Sequence, residues 1–144
     1  MFDDRTQDES VIELDDLRAL TPDGKISVWT WPDSSLILIC GRGIWTPAVL
    51  AAHVRVLGDM IATKRMRFTS TRVLIDLRDQ GEQSPEVLAE MRAAVDRCYT
   101  PADRLAIVVR SSLMKMVARN RFGRDNSEYF VSVDAARTWL NAGV

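Results

Sequence analysis

The pattern of apolar and polar positions along this chain changes repeatedly between the period of a strand and the period of a helix. Short alternating or continuous apolar runs, typical of strands, occur at residues 26–31, 35–40, 71–77, 105–109 and 129–131. Apolar residues at helical spacing predict helices at residues 47–64, 84–99, 112–122 and 133–141. This order predicts an α/β fold, with helices packed against a mixed sheet of about four to five strands.

The predicted helices begin at residues that favour helix N-termini. Thr46 and Ser84 are each followed by a proline, and a hydroxyl at the N-cap with proline at the first helical position is a common helix start. Ser111 or Ser112 caps the third predicted helix, which is expected to end near Gly123. These signals predict where three of the helices start.

Composition indicates one globular domain without a membrane-spanning segment. Of the 144 residues, 47% are hydrophobic and 27% charged, and no apolar run approaches the roughly 18–20 residues that span a bilayer. The N-terminus is acidic and has no apolar core, unlike a secretory signal. Cys40 and Cys98 follow no spacing pattern, which indicates reduced thiols rather than a disulfide framework or a metal site. We therefore expect a cytoplasmic protein.

The net charge of −1 conceals an asymmetry between two parts of the chain. Residues 1–24 contain eight acidic and two basic side chains, a net charge of −6, so the remaining residues carry +5. We divide the chain into an acidic N-terminal extension, residues 1–24, and a folded domain, residues 25–144. The extension is expected either to shield the basic domain from anionic partners or simply to be solvated. Apolar spacing within residues 11–20 predicts a short helix or an edge element there.

The predicted helix at residues 112–122 combines basic and apolar side chains. Leu113, Met116 and Val117 share one face, which we expect to pack on the sheet, leaving Met114, Phe122 and the basic residues near solvent. Such a helix suits an anionic membrane surface or an acidic partner, and methionines suit an adaptable apolar pocket. The alternative is a basic surface helix whose apolar residues all belong to the core. The candidate ligand or membrane contacts are Leu113, Met114, Lys115, Met116, Arg119, Arg121 and Phe122.

Other motifs do not define a catalytic or cofactor site. Residues 41–46 lack the third glycine of a dinucleotide-binding turn and place Trp45 where backbone should approach phosphate. His53 is the only histidine and has no ligand or triad partner at suitable spacing. Asp76 and Asp79 are interpreted as part of a solvated loop, and the basic residues lack the aromatic pattern that accompanies nucleic-acid binding. We expect no enzyme activity, no cofactor, no metal and no nucleic-acid partner.

The order of elements and three sequence features resemble the SpoIIAA-like branch of the STAS superfamily. These features are the strand end Ile75-Asp76-Leu77-Arg78, the apolar strand at residues 105–109, and Phe130 before an alanine-containing helix that bears Trp139 and Leu140. The resemblance covers about residues 25–142. It implies a bacterial, non-enzymatic protein. Some members of the superfamily switch protein partners by serine phosphorylation, and others are proposed to associate with membranes or to bind an apolar ligand.

Ser84 is the candidate phosphorylation or anion site that this resemblance suggests. Anti-sigma-factor antagonists of the superfamily carry the acceptor serine in an Asp-Ser-Ser-Gly-like motif at the start of the helix after the third strand. Ser84 lies at about that position, but Gln83 replaces the aspartate and Pro85 follows. A helix N-terminus favours a phosphate, whereas Glu82 and Glu86 oppose it. Capping of the helix alone is the alternative interpretation.

The sequence thus predicts a non-catalytic SpoIIAA-like domain that associates with an anionic membrane surface or binds an apolar ligand through a mobile basic helix at residues 112–122. This function would place the protein at the inner face of the membrane. The alternative function is a protein-interaction module in bacterial signalling, similar to the anti-sigma-factor antagonists and switched at Ser84. A protein partner is expected in that case, and a homo-oligomer is compatible with either function.

Overall fold

The computed structural model describes residues 18–142 of the chain. The strands are β1 Arg18–Leu20, β2 Ile26–Thr30, β3 Leu36–Gly43, β4 Arg72–Gln80, β5 Arg104–Val108 and β6 Ser127–Phe130. The helices are α1 Pro47–Lys64, α2 Pro85–Cys98, α3 Ser112–Phe122 and α4 Val133–Ala142. All five predicted strands and all four predicted helices are present, with ends that differ by a few residues.

The described strands form one mixed sheet in the order β1-β2-β3-β4-β5-β6. The first three strands pair antiparallel, whereas β3, β4, β5 and β6 pair parallel. Each parallel pair is joined through a helix, as a parallel connection requires. The α/β class is confirmed, and the six strands exceed the predicted four to five.

The additional strand, β1, ends the segment that was predicted to be a short helix or an edge element. Its three residues pair with β2, with Arg18 opposite Trp29, and so form an edge strand of the sheet. Residues 1–17 of the predicted acidic extension lie outside the described residues. The division into an extension, residues 1–24, and a domain, residues 25–144, stays a prediction.

Each face of the sheet has its own hydrophobic core. Helices α1, α2 and α3 cover one face, where Ile39, Val73 and Ile107 are buried. Helix α4 covers the other face, where Leu140 packs with Leu74. Because successive strand residues point to opposite faces, the continuous apolar runs of β4 and β5 supply both cores.

Strands β3 and β4 extend further than the sequence predicted. β3 continues through Gly43 and β4 through Gln80, so residues predicted to form a glycine turn and a solvated loop are paired strand. The pairing continues across a register shift between Cys40 and Arg42, where β4 has one residue more than β3, and Gly41 at this point is buried. A Cβ atom on Gly41 would lie only 2.5 Å from Cζ2 of the Trp45 ring. The glycine therefore allows Trp45 to cover the strand end.

Candidate functional site

The loops that follow β3, β4 and β5 lie together at the carboxyl ends of these parallel strands. Each loop ends in a hydroxyl that caps the next helix: Thr46, Ser84 and Ser111 each accept a hydrogen bond at 3.2 Å from a backbone N–H of the first turn. The predicted caps at Thr46 and Ser84 are confirmed, and the third cap is Ser111 rather than Ser112.

Gln83 fixes the loop that leads to Ser84. Its buried side chain accepts a hydrogen bond from the Trp45 N–H at 2.8 Å and donates to the Gly43 and Gly81 carbonyls at 2.8 and 3.3 Å. The residue that replaces the aspartate of the phosphorylation motif thus links the ends of β3 and β4. This structural role was not anticipated from the sequence.

Ser84 itself is exposed at the N-terminus of α2. Its Oγ accepts the N–H of Val87, so the capping interpretation describes its observed contact. The first-turn N–H groups favour an anion at this position, while the exposed Glu82 and Glu86 disfavour one. Phosphorylation of Ser84 stays a prediction.

The orientation of α3 is opposite to the one predicted. Leu113, Met116 and Val117, expected to face the sheet, are 66%, 56% and 45% exposed. Met114 and Phe122, expected near solvent, are partly buried against the core. Both stripes are apolar, and the inward one includes the small Ala118 at the same helical spacing, where the helix packs on the core. The exposed residues Leu113, Met116 and Val117 are called the α3 outer face below.

The basic side chains near α3 differ in how they are engaged. Arg119 forms an ion pair with Glu128 at 2.8 Å, and Arg124 pairs with Asp96. The Arg92 guanidinium lies 4.9 Å from the centre of the Phe122 ring. The side chains of Lys115 and Arg121 form no hydrogen bond or ion pair with another of the described residues, although the Lys115 ammonium interacts electrostatically with the Glu128 carboxylate. Arg121 lies one helical turn after Val117, so its positive charge remains beside the α3 outer face. The roles predicted for the α3 residues in ligand or membrane contact stay predictions.

A cavity of about 740 Å³ lies between the sheet and helices α1, α2 and α3. Its wall is mostly apolar and includes Met114, Ala118 and Phe122 of the inward stripe of α3, together with the largely exposed Leu113 and Val117 of the α3 outer face. At one end lie Trp45 and Leu77, next to the carboxyl ends of β3 and β4. At the other end are the C-terminal residues of α2 and α3. Known small-molecule sites occupy roughly 300–1,000 Å³ and are lined in this way.

The uncharged polar residues of this wall are His53, Gln80, Tyr99, Ser127 and Tyr129. Burial lowers the pKa of His53 to about 4, so its imidazole is neutral at pH 7. The hydroxyl of Tyr99 is buried and has no hydrogen-bond partner among residues 18–142. Burial, with nearby Cys98 and Asp103, raises the pKa of Tyr99 above its usual range, so the phenol is a hydrogen-bond donor. No sequence pattern indicates Tyr99, because only the tertiary structure places it at the cavity.

Other acidic and basic groups are arranged as structural pairs. Asp76 and Arg78 form a salt bridge at 2.8 Å on strand β4, and the hydrogen bond from Arg78 lowers the pKa of Asp76. Within residues 18–142, His, Cys, Asp and Glu form no group of three or more that could hold a metal ion. None of the described helices is both long and apolar enough to cross a membrane.

Comparison with known proteins defines the fold. No protein-family model matches the chain, and no curated protein sequence matches it significantly. A structure of an uncharacterised protein with a SpoIIAA-like fold from Shewanella loihica is 18% identical with a TM-score of 0.60, covering 80% of this chain and 91% of that one. An anti-sigma factor antagonist from Mycobacterium paratuberculosis is 14% identical with a TM-score of 0.56, covering 85% of this chain and 99% of that one.

These similarities, together with the sheet order, show that the chain has the STAS/SpoIIAA-like fold. The fold that the sequence resemblance implied is thereby confirmed. At these identities the comparison concerns the fold, and the function has to be argued from this chain's own surfaces and cavity.

Proposed function

We propose that the chain is a non-catalytic regulatory domain that binds a protein partner through the α3 outer face. The observation that carries the proposal is the exposure of Leu113, Met116 and Val117 on a helix with no fully buried residue. Apolar side chains grouped on one exposed helix face are typical of an interaction site. The similarity in fold to an anti-sigma factor antagonist supports a role in signalling.

The charge beside the α3 outer face indicates which kind of partner this surface would bind. Arg121 lies one helical turn after Val117, beside the α3 outer face, and its side chain forms no hydrogen bond or ion pair with another described residue. An amphipathic helix with acidic residues around an apolar stripe complements this surface. We therefore propose a partner segment of that chemistry, rather than a basic one.

We propose phosphorylation of Ser84 as a switch for this interaction. Arg110, which precedes the cap of α3, donates a hydrogen bond to the Gln80 carbonyl at 3.4 Å and so connects the end of β4 to the start of α3. A phosphate on the exposed Ser84 would add negative charge at this edge of the sheet. This charge would change the affinity for an acidic partner.

The partner proposal is tested by photo-crosslinking followed by a binding measurement. A benzophenone amino acid at position 116 should crosslink one partner in the source cell, whereas the same group at exposed Thr138 on α4 should not. With that partner purified, Met116→Glu should weaken binding by about tenfold or more, and Thr138→Glu should leave it unchanged. Equal affinity of both variants and the unmodified protein would refute the proposed face.

A second candidate function, binding of an apolar ligand, is favoured by the cavity beneath α3. Its volume of about 740 Å³ and apolar wall suit one small molecule. Peripheral association with a membrane would instead require the α3 outer face to insert among lipid head groups. Flotation with anionic vesicles at low salt distinguishes the two, since a ligand held in the cavity need not bring the protein to a vesicle.

A further inference from the structure

The cavity beneath α3 has two chemically different ends. Near the carboxyl ends of β3 and β4 its wall is formed by Trp45, Leu77 and Leu113. At the opposite end, the C-terminal parts of α2 and α3 contribute Tyr99 and Arg121. Between the ends, apolar side chains of the sheet and of the three helices form a continuous wall. A ligand that fills this space therefore needs a long apolar part and one polar end.

The charges that line the cavity have a single sign. Arg92, Arg121 and Arg124 are its charged lining residues, and no aspartate or glutamate of the described chain lines it. Arg124 is paired with Asp96 outside the lining, and Arg92 stacks on Phe122. Arg121 has no such partner among residues 18–142. An anionic group at this end would meet arginine without facing a competing carboxylate of the wall.

The uncharged polar residues of the wall do not change this division. The hydroxyl of Tyr99 has almost no surface that a water molecule could reach, so it offers no donor to a ligand. Gln80, Ser127 and Tyr129 carry no charge. His53 lies on α1, and burial keeps its imidazole neutral. It therefore adds no charge to the apolar part of the wall.

We infer that the cavity binds a single-chain amphiphile with an anionic head group, of the long-chain carboxylate class. Its chain lies along the sheet beneath α3, and its carboxylate lies at the arginine-rich end, beside Arg121. This inference rests on the second candidate function and specifies the ligand for it. The polar end sets the orientation, and the apolar wall supplies most of the affinity.

The test compares head groups at constant chain length by isothermal titration calorimetry. Dodecanoate, below its critical micelle concentration, should bind the full chain at one site per molecule and at least about tenfold more tightly than dodecanol. Dodecyltrimethylammonium should bind more weakly than dodecanol. More than one dodecanoate per chain would indicate detergent-like adsorption and overturn the inference.

Two variants test the polar end. Arg121→Gln should weaken dodecanoate binding about tenfold and leave dodecanol binding unchanged, while Tyr99→Phe, which removes a hydroxyl that a ligand cannot reach, should leave both unchanged. Arg137→Gln, which removes an exposed arginine on α4 beyond the other face of the sheet, is the matched control and should change neither. Equal losses in Arg121→Gln and Arg137→Gln would show a general charge effect and overturn the assigned end. Circular dichroism spectra of the variants exclude unfolding as the cause.

The outcomes distinguish a failure of this inference from a failure of the apolar-ligand function on which it rests. Equal affinities for dodecanoate and dodecanol would support the binding of an apolar ligand and would overturn the inference that its head group is anionic. Binding of no probe would overturn both. Flotation with anionic vesicles without binding of monomeric dodecanoate would overturn the cavity ligand in favour of a membrane surface.

Discussion

At the residue scale, the carboxylate of Asp103 shows how a fully buried charge is accommodated. Arg65 donates to its two oxygens at 3.1 and 2.7 Å, and the backbone N–H groups of Thr71 and Thr100 donate at 2.8 Å each. Burial acts to raise the pKa of Asp103, but these hydrogen bonds outweigh it and the net pKa lies below its ordinary value. The group ties the start of β4 to the turn before β5.

Asp103→Asn should lower the free energy of unfolding by about 2–4 kcal/mol, because it leaves the Arg65 guanidinium without its counter-charge in a partly buried site. Asp33→Asn, which removes the exposed partner of Arg67, should cost less than about 1 kcal/mol. Urea unfolding at pH 7 measures both. Because the folded pKa is lowered, the contribution of Asp103 is present above its unfolded pKa and is lost as pH falls through the folded value. Similar losses in the two variants would contradict this account.

His53 has a pH effect of its own. Its folded pKa of about 4 lies below the unfolded value of 6.5, so the unfolded chain binds more protons between these two values. Stability should therefore fall as pH decreases from about 6.5 to 4, by up to about 3 kcal/mol from this residue. His53→Gln should flatten this part of the profile of unfolding free energy against pH. An unchanged slope in the variant would show that His53 is not buried in its neutral form.

At the scale of single elements, the sequence predicted helix positions better than helix orientation. The hydroxyl-proline pairs at Thr46 and Ser84 identify helix starts because the capping contacts are local. The direction in which α3 faces is not local. Met114 and Met116 are equally apolar, and only packing on the sheet places the first inside and the second outside. The candidate contact residues were therefore correctly predicted to lie on a helix, but the inward and outward faces of that helix were exchanged.

The extended ends of β3 and β4 show a similar limit. Gly41 and Gly43 suggest a turn when only neighbouring residues are considered, whereas pairing across the sheet continues both strands. The signal that was overlooked is the bulky Trp45 two to four residues beyond these glycines. Its ring needs the space that the missing Cβ of Gly41 leaves.

Gly41→Ala and Gly58→Ala form a matched pair that tests this packing. A Cβ at Gly41 meets the Trp45 ring at 2.5 Å and Leu77 at 3.1 Å, so we expect a loss of about 1–3 kcal/mol in unfolding free energy. At Gly58, inside α1, nothing lies within 4 Å, and alanine should stabilise the helix by about 0.5–1 kcal/mol. Thermal denaturation should show shifts of opposite sign. A neutral Gly41→Ala would mean that Trp45 moves aside at little cost.

At the scale of the whole molecule, the fold follows from the placement of apolar residues rather than from particular motifs. The two solved structures share the fold at only 18% and 14% identity. Strands such as β5, apolar on both faces, and helices with one inward stripe are enough to define the layers. The cavity was not predictable in the same way, because it depends on how closely α3 approaches the sheet.

The charge asymmetry of the chain also acts at this scale. Residues 1–17 hold seven acidic side chains and one basic one, so a chain that starts at residue 18 changes from a net charge of −1 to +5 and retains β1. The electrostatic potential of the shortened chain therefore attracts anions. We expect the shortened chain to bind dodecanoate about three- to tenfold more tightly than the full chain at about 0.01 M salt, where the screening length is about 30 Å. At about 0.15 M salt, with a screening length of about 8 Å, the difference should shrink.

A full-length variant separates charge from chain length in this experiment. Replacing the seven acidic residues of positions 1–17 by asparagine and glutamine keeps the length and removes the same seven negative charges, giving a net charge of +6 against +5 for the shortened chain, which also lacks Arg5. If the extension acts through its electrostatic field, this variant should bind dodecanoate as tightly as the shortened chain at low salt, and both should approach the full chain as salt rises. If only the shortened chain binds more tightly, and salt leaves the difference unchanged, the extension obstructs the cavity sterically and the electrostatic account is wrong.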